Sequence, residues 1–345
     1  MIFRNVFSQV LLIGLTTLPA AADQVRATLL SGSEALVTHF LSQPGLPIAA
    51  YHQLQQFEEM QGYGPETRTG GLTYFRVRPL LSYDPNVTGG VPNDSIQVAG
   101  FDFSIDPEFV GKGDMLLGVD VRAGLRKNLA PRLALDARAS GSFGYAPRVE
   151  VSKASLDADL CLRYQSNRSR YIHGCVGADV RLVELGDQRS LRASTGITQA
   201  FTTGSTIHAV TGELGLRKVF PEFGADWTQA YLRLSTASAL RNGTAIVSML
   251  ELGEAVDRVH ATRLRASIGL ARDINGKPGS ISLFYSKADG GIYLGGPRRD
   301  ETIGLAVSYQ FNEKLTLTGT LSQTSSNAQL FDSGPKVGLG IQVRF

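Results

Sequence analysis

Over most of the chain every second side chain is apolar. In Asp114–Asn128 the residues Met115, Leu117, Val119, Val121, Ala123 and Leu125 oppose Gly118, Asp120, Arg122 and Gly124. The next run sets Leu133, Leu135, Ala137, Ala139, Phe143 and Tyr145 against Arg132, Asp136, Arg138, Ser140 and Ser142. Later runs repeat the scheme, as in Leu156/Ala158/Leu160/Leu162/Tyr164 and Ile303/Leu305/Val307/Tyr309/Phe311. A period of two is that of a strand with one apolar and one polar face. About fifteen such runs occur, each near the ~10 residues with which a tilted strand crosses an outer membrane. The last, Lys336–Phe345, places Val337, Leu339, Ile341, Val343 and Phe345 on one face and Gly338, Gly340, Gln342 and Arg344 on the other.

A soluble β-sandwich also alternates, but its buried faces favour Phe, Ile, Val and Leu. Here the apolar faces use many Ala and Leu, and aromatics gather near run ends at Tyr145, Phe201, Phe220, Trp227, Tyr309, Phe311 and Phe345, as in interfacial girdles. The pattern predicts an all-β fold: a transmembrane, antiparallel, up-and-down β-barrel over residues 70–345. Single-chain barrels of this kind have an even strand number. The run Gly243–Ala255 alternates poorly and follows an Asn242-Gly243 turn, so it reads as an external loop, leaving about fourteen strands. The expected surroundings are outer-membrane lipid, and the terminal strand is expected to close the barrel.

The N-terminus supplies an address. Arg4, an apolar stretch from Val10 to Leu18 and Ala20-Ala21-Ala22 before Asp23 form a secretory signal over residues 1–22, cleaved near Ala22. Residues 23–66 read as a short helical segment, periplasmic or plugging the barrel mouth. Val25, Leu29, Leu36, Phe40 and Leu41 have helical spacing, Gly45-Leu46-Pro47 interrupts, and Ile48–Met60 reads as a second helix.

Composition narrows the function classes. The balance of 34 basic against 31 acidic residues leaves no nucleic-acid footprint. A mean hydropathy near zero does not argue against a membrane barrel, whose apolar residues are spread rather than bunched. By parity, Asp120, Arg122, Asp136, Arg138, Asp157, Asp159, Arg163, Asp179, Arg181, Arg233, Arg263 and Arg265 fall on the lumenal face. Mixed signs suggest cross-strand pairing more than the one-sign ring of an ion-selective pore. A hairpin centred on Leu129 would set Asp120 opposite Arg138 and Arg122 opposite Asp136. Cys161 and Cys175 are the two cysteines. A hairpin centred on Arg168 puts them directly opposite, and Tyr164 opposite Ile172, within reach of a disulfide in an oxidising compartment. The histidines His39, His52, His173, His208 and His260 have no nucleophile motif beside them, and no metal, phosphate or dinucleotide motif appears. No enzyme activity and no cofactor are expected.

Three stretches carry a family resemblance: Val77–Gly90 (VRPLLSYDPNVTGG), Arg298–Phe311 (RRDETIGLAVSYQF) and Leu321–Phe345. They look like the barrel domain of the surface lipoprotein assembly modifiers, above all in Ser82–Asn86, Arg298–Asp300 and the tail from Ser325. The resemblance spans residues 70 to 345. It implies a fourteen-stranded outer-membrane barrel that helps deliver lipoprotein or other protein cargo, or a polymer, to the surface. It also implies that the barrel-assembly machinery reads Ile341, Val343 and Phe345 as an assembly signal. The family's periplasmic tetratricopeptide repeats have no counterpart here. A small-solute porin, or a structural barrel without cargo, is the alternative.

Overall fold

The computed structural model describes residues 19–46, 48–63, 71–98 and 100–343. The expected signal peptide up to residue 18, and Arg344 and Phe345 of the expected assembly signal, lie outside them. Among the described residues three helices precede the strands: α1 (Pro19–Ser31), α2 (Glu34–Leu41) and α3 (Ile48–Met60). The helical stretch before Gly45 is two helices, because Gly32 adopts a left-handed φ of 69° and turns the chain sharply. Ser33 then caps α2, its side chain accepting a hydrogen bond from the Leu36 amide.

Sixteen strands follow among the described residues. The first eight are β1 (Gly71–Asp84), β2 (Ser95–Val98), β3 (Phe101–Ser104), β4 (Asp114–Ala130), β5 (Leu133–Ala146), β6 (Val151–Asn167), β7 (Arg170–Leu182) and β8 (Gln188–Thr203). The others are β9 (Thr206–Pro221), β10 (Trp227–Ala239), β11 (Ala245–Gly253), β12 (Ala261–Ile274), β13 (Lys277–Tyr293), β14 (Gly296–Gln310), β15 (Leu315–Ser326) and β16 (Ser333–Val343). Fourteen of them form a closed antiparallel barrel in which sequential strands are neighbours, and β16 returns to pair with β1. Closure removes the sheet edge, the only way a sheet can satisfy its backbone in lipid. Many of the large apolar side chains left uncovered lie on the outward face of the barrel, among them Leu117, Leu160, Leu216, Leu283 and Leu339. This is a membrane-spanning barrel.

The strand number agrees with the expectation, but the segment outside the barrel does not. Residues Ala245–Gly253 are barrel strand β11, paired on both sides with β10 and β12. The extra pair is β2–β3, a separate two-stranded hairpin in the long connection from β1 to β4. The β4–β5 register also differs from the Leu129-centred one. Arg126 faces Asp136, Gly124 faces Arg138, and Asp120 and Arg122 face Ser142 and Ser140. The turn lies at Pro131–Arg132, where Arg132 has a φ of 64°, and a bulge follows Asn128. The Arg168-centred hairpin matches: Cys161 faces Cys175, Tyr164 faces Ile172, and the two cysteines form a disulfide.

The two ends of the barrel differ. At one end the connections are tight, at residues 131–132, 168–169, 204–205, 240–244 and 275–276. At the other, the β1–β4 connection leans over the rim. Asn93 donates to the Gln329 and Asp332 carbonyls, and Leu185 donates its amide to the Thr88 carbonyl, so the segment links rims on both sides of β1.

Candidate functional site: the plugged lumen

The helices sit in the barrel at its tight-turn end. Leu36, Phe40, Leu54 and Phe57 pack with Tyr171 and with inward-facing Ala134, Ala200, Ala209 and Ala239 of the wall, while Leu30 packs on Ala245 and Ala271. Alanine at these lumenal positions leaves the width that a helix needs, and the close-packed contact holds it. The described helices of the 23–66 segment thus pack inside the barrel wall.

Polar contacts fix the seat. Glu34, the first residue of α2, reaches across to three arginines of the wall. Its Oε1 accepts from Arg126 Nη2 at 3.0 Å and lies 3.5 Å from Arg138 Nη2, and its Oε2 accepts from Arg163 Nη1 at 2.6 Å. Asp136 shares the same arginines: Arg138 binds it through Nε and Nη2 at 2.9 and 2.6 Å, Arg163 lies 3.3 Å away, and Arg126 donates to it closely. Arg126 is almost wholly buried. Burial pushes the Glu34 carboxyl up, but the guanidiniums of Arg163, Arg126 and Arg138 outweigh it and hold it at about 2. Further out, Arg168 Nε donates to Glu58 at 3.0 Å, Gln24 donates to the Ser205 carbonyl, and His39 meets Ser169 Oγ at 2.8 Å and Thr202 Oγ1 at 3.0 Å. Burial lowers the His39 pKa below its ordinary value.

Beyond the plug the lumen opens into a cavity of about 710 Å³, lined by Asp157, Asp179, Arg181, Arg217, Tyr231 and Arg265 among others. The charges on its walls are grouped. Arg192 bridges Asp157, Asp159 and Asp179. Arg217 and Arg233 hold Glu251 at 3.1 and 2.6 Å, Arg233 also reaches Glu213, and both flank the Tyr231 ring. Arg122 pairs with Asp120 along its own strand at 3.1 Å, and Arg263 lies 3.5 Å from Asp289. Arg181 and Arg265 line the cavity without an ion pair among the described residues.

All the residues read as lumenal by parity thus face the lumen, but the pairings differ from those expected. Asp136, Arg138 and Arg163 belong to the plug seat rather than to a strand-to-strand ladder. Glu34, Arg126, Arg192, Arg217, Glu213 and Glu251 complete the clusters and were not singled out by alternation alone. For Arg126 the signal was available, because it shares β4 and its lumenal parity with Asp120 and Arg122; Arg192, Arg217 and Glu251 stand on strands from which no charge was taken. Trp227 also faces inward and lines the cavity, so it is not a girdle residue. Among the described residues no group of three or more His, Cys, Asp or Glu side chains is placed to hold a metal ion.

The fold and lumen define a closed fourteen-stranded membrane barrel of the outer-membrane type with an internal helical plug. No protein-family model and no curated protein matches the chain. Among solved structures, OprB of Pseudomonas putida is 8% identical with a TM-score of 0.46, over 79% of this chain and 94% of that one. OccAB1 of Acinetobacter baumannii is 9% identical with a TM-score of 0.40, over 83% and 97%. OccK9 of Pseudomonas aeruginosa is 9% identical with a TM-score of 0.41, over 78% and 97%.

Proposed function

We propose that the protein is a small-solute channel of the outer membrane, closed from the periplasmic side by its own N-terminal helices. The observation that carries this is the pairing of a polar lumenal cavity of about 710 Å³ with a plug seated at the tight-turn end. Outer-membrane barrels keep their short turns on the periplasmic side, which orients the plug. A wall of paired charges suits passage of a hydrated polar solute. The export reading raised by the family resemblance has less support. Helices fill one end of the lumen, ion pairs line its walls, and the described N-terminal segment offers three short helices where that family carries a repeat array.

Urea separates plug from wall. The plug is held by side-chain packing and ion pairs, whereas the barrel is held by a continuous hydrogen-bonded ladder, so the plug should open first. In planar bilayers, conductance should be low in buffer and rise reversibly at urea concentrations where the barrel still migrates as the folded, heat-modifiable species. A barrel that stays non-conducting until it unfolds would remove the channel reading.

A further inference from the structure

We infer that the wall arginines of the plug seat form a binding site for a small carboxylate, that Glu34 occupies it in the closed state, and that a free carboxylate solute unseats the plug. This rests on the channel reading above. Four members of the cluster, Arg126, Arg138, Arg163 and Asp136, belong to strands β4, β5 and β6, while Glu34 arrives on α2. When α2 leaves, the guanidiniums of Arg126, Arg138 and Arg163 lose the Glu34 carboxylate and converge on Asp136 at the barrel wall. Converging cations repel one another, so the position that Glu34 vacates favours an anion, either Glu34 or another.

The geometry selects the ligand class. Glu34 presents two oxygens to different arginines, one shared by Arg126 and Arg138 and the other on Arg163. A planar acceptor with two oxygens meets guanidinium forks in this way. A route to the site exists. A crevice of about 300 Å³ is lined by Glu34, Arg138 and Arg163, and it shares Asp159, Cys161 and Cys175 with the main cavity. A solute in the lumen therefore reaches the arginines beside the seated glutamate. Glu34 is tethered, which gives it an effective concentration on the order of millimolar, and a free carboxylate competes on that scale.

The test uses the full chain in planar bilayers at matched ionic strength, because salt alone screens ion pairs. Sodium succinate should raise the open probability of the wild type at millimolar concentration, and sodium chloride or glucose should not. Glu34→Gln and Arg163→Gln both break the seat, so both should be open without succinate. They should differ in ion preference: Glu34→Gln keeps all three arginines and should favour anions several-fold more than Arg163→Gln. A wild type indifferent to succinate, or two variants with the same reversal potential in a salt gradient, would overturn the inference while leaving the channel reading intact. An equal response to inorganic phosphate would overturn the carboxylate assignment. If neither the wild type nor Glu34→Gln conducts, the channel reading itself falls and this one with it.

Discussion

Acidification should unseat the plug, in two steps of the same sign. The first belongs to His39. Its seated ring is half-buried, burial holds its pKa below the ordinary 6.5, and it is hydrogen-bonded to Ser169 and Thr202. Once the helix leaves, the imidazole regains ordinary solvation and binds a proton more readily, so the seat weakens as pH falls below that value. The second belongs to Glu34, lowered from 4.5 to about 2 when seated. A carboxyl with a depressed pKa contributes stability that is fully present above its ordinary value and lost as pH falls through the depressed one. At about 1.4 kcal/mol per pKa unit this gap corresponds to roughly 3 kcal/mol, or on the order of a few hundredfold in the ratio of seated to unseated plug. It agrees with the ~3–5 kcal/mol typical of breaking a buried ion pair by removing one partner. The assay is single-channel open probability between pH 7 and pH 2. The wild type should open modestly below pH ~6.5 and strongly between pH ~4.5 and ~2. Glu34→Gln should already be open at pH 7 and show only the histidine step, which Gln at position 39 removes in turn. An identical steep step near pH 2 in wild type and Glu34→Gln would refute the assignment to Glu34.

Three further outcomes follow from the same structure. Replacing Cys161 and Cys175 by Ser removes a cross-strand link that closes a short loop, and should cost about 3 kcal/mol of barrel stability by urea unfolding; unchanged unfolding would show that the link adds nothing to the ladder. Ile341→Asp places a charge on the lipid face of β16, where it costs about 2–4 kcal/mol near the midplane. Gln342→Ser changes the lumenal face beside Arg78 and should be mild, so equal yields of heat-modifiable protein in outer-membrane preparations would contradict the assigned faces. Ala209→Trp overfills the wall against the plug at about 1–3 kcal/mol, and should raise conductance without lowering the folded yield.

What alternation made legible was the barrel, because a membrane strand must keep one face apolar whatever its partners are. It failed where the other face is apolar too. In β11 the lumenal positions Ala245, Val247 and Met249 share their face with Glu251, and this strand runs beside α1; the polar half of the pattern disappears because the wall there meets a helix instead of an open lumen. The same cause explains the lumenal alanines of β5, β8, β9, β10 and β12, which in the structure make room for the helices. Register was legible only where one pairing excluded the rest. Cys161 and Cys175 admit a single productive hairpin. Asp120, Arg122, Asp136 and Arg138 can be paired in more than one way, and the register adopted brings in Arg126, which the charge argument had left out. Glu34 is the residue whose role was least accessible from periodicity. In Glu34–Leu41 it is the one carboxylate at the head of an otherwise apolar helix. A helix N-terminus accounts for an acidic residue there by its dipole alone. Only the arrival of three strands' arginines at the same point turns that local preference into the contact that seats α2 against the wall.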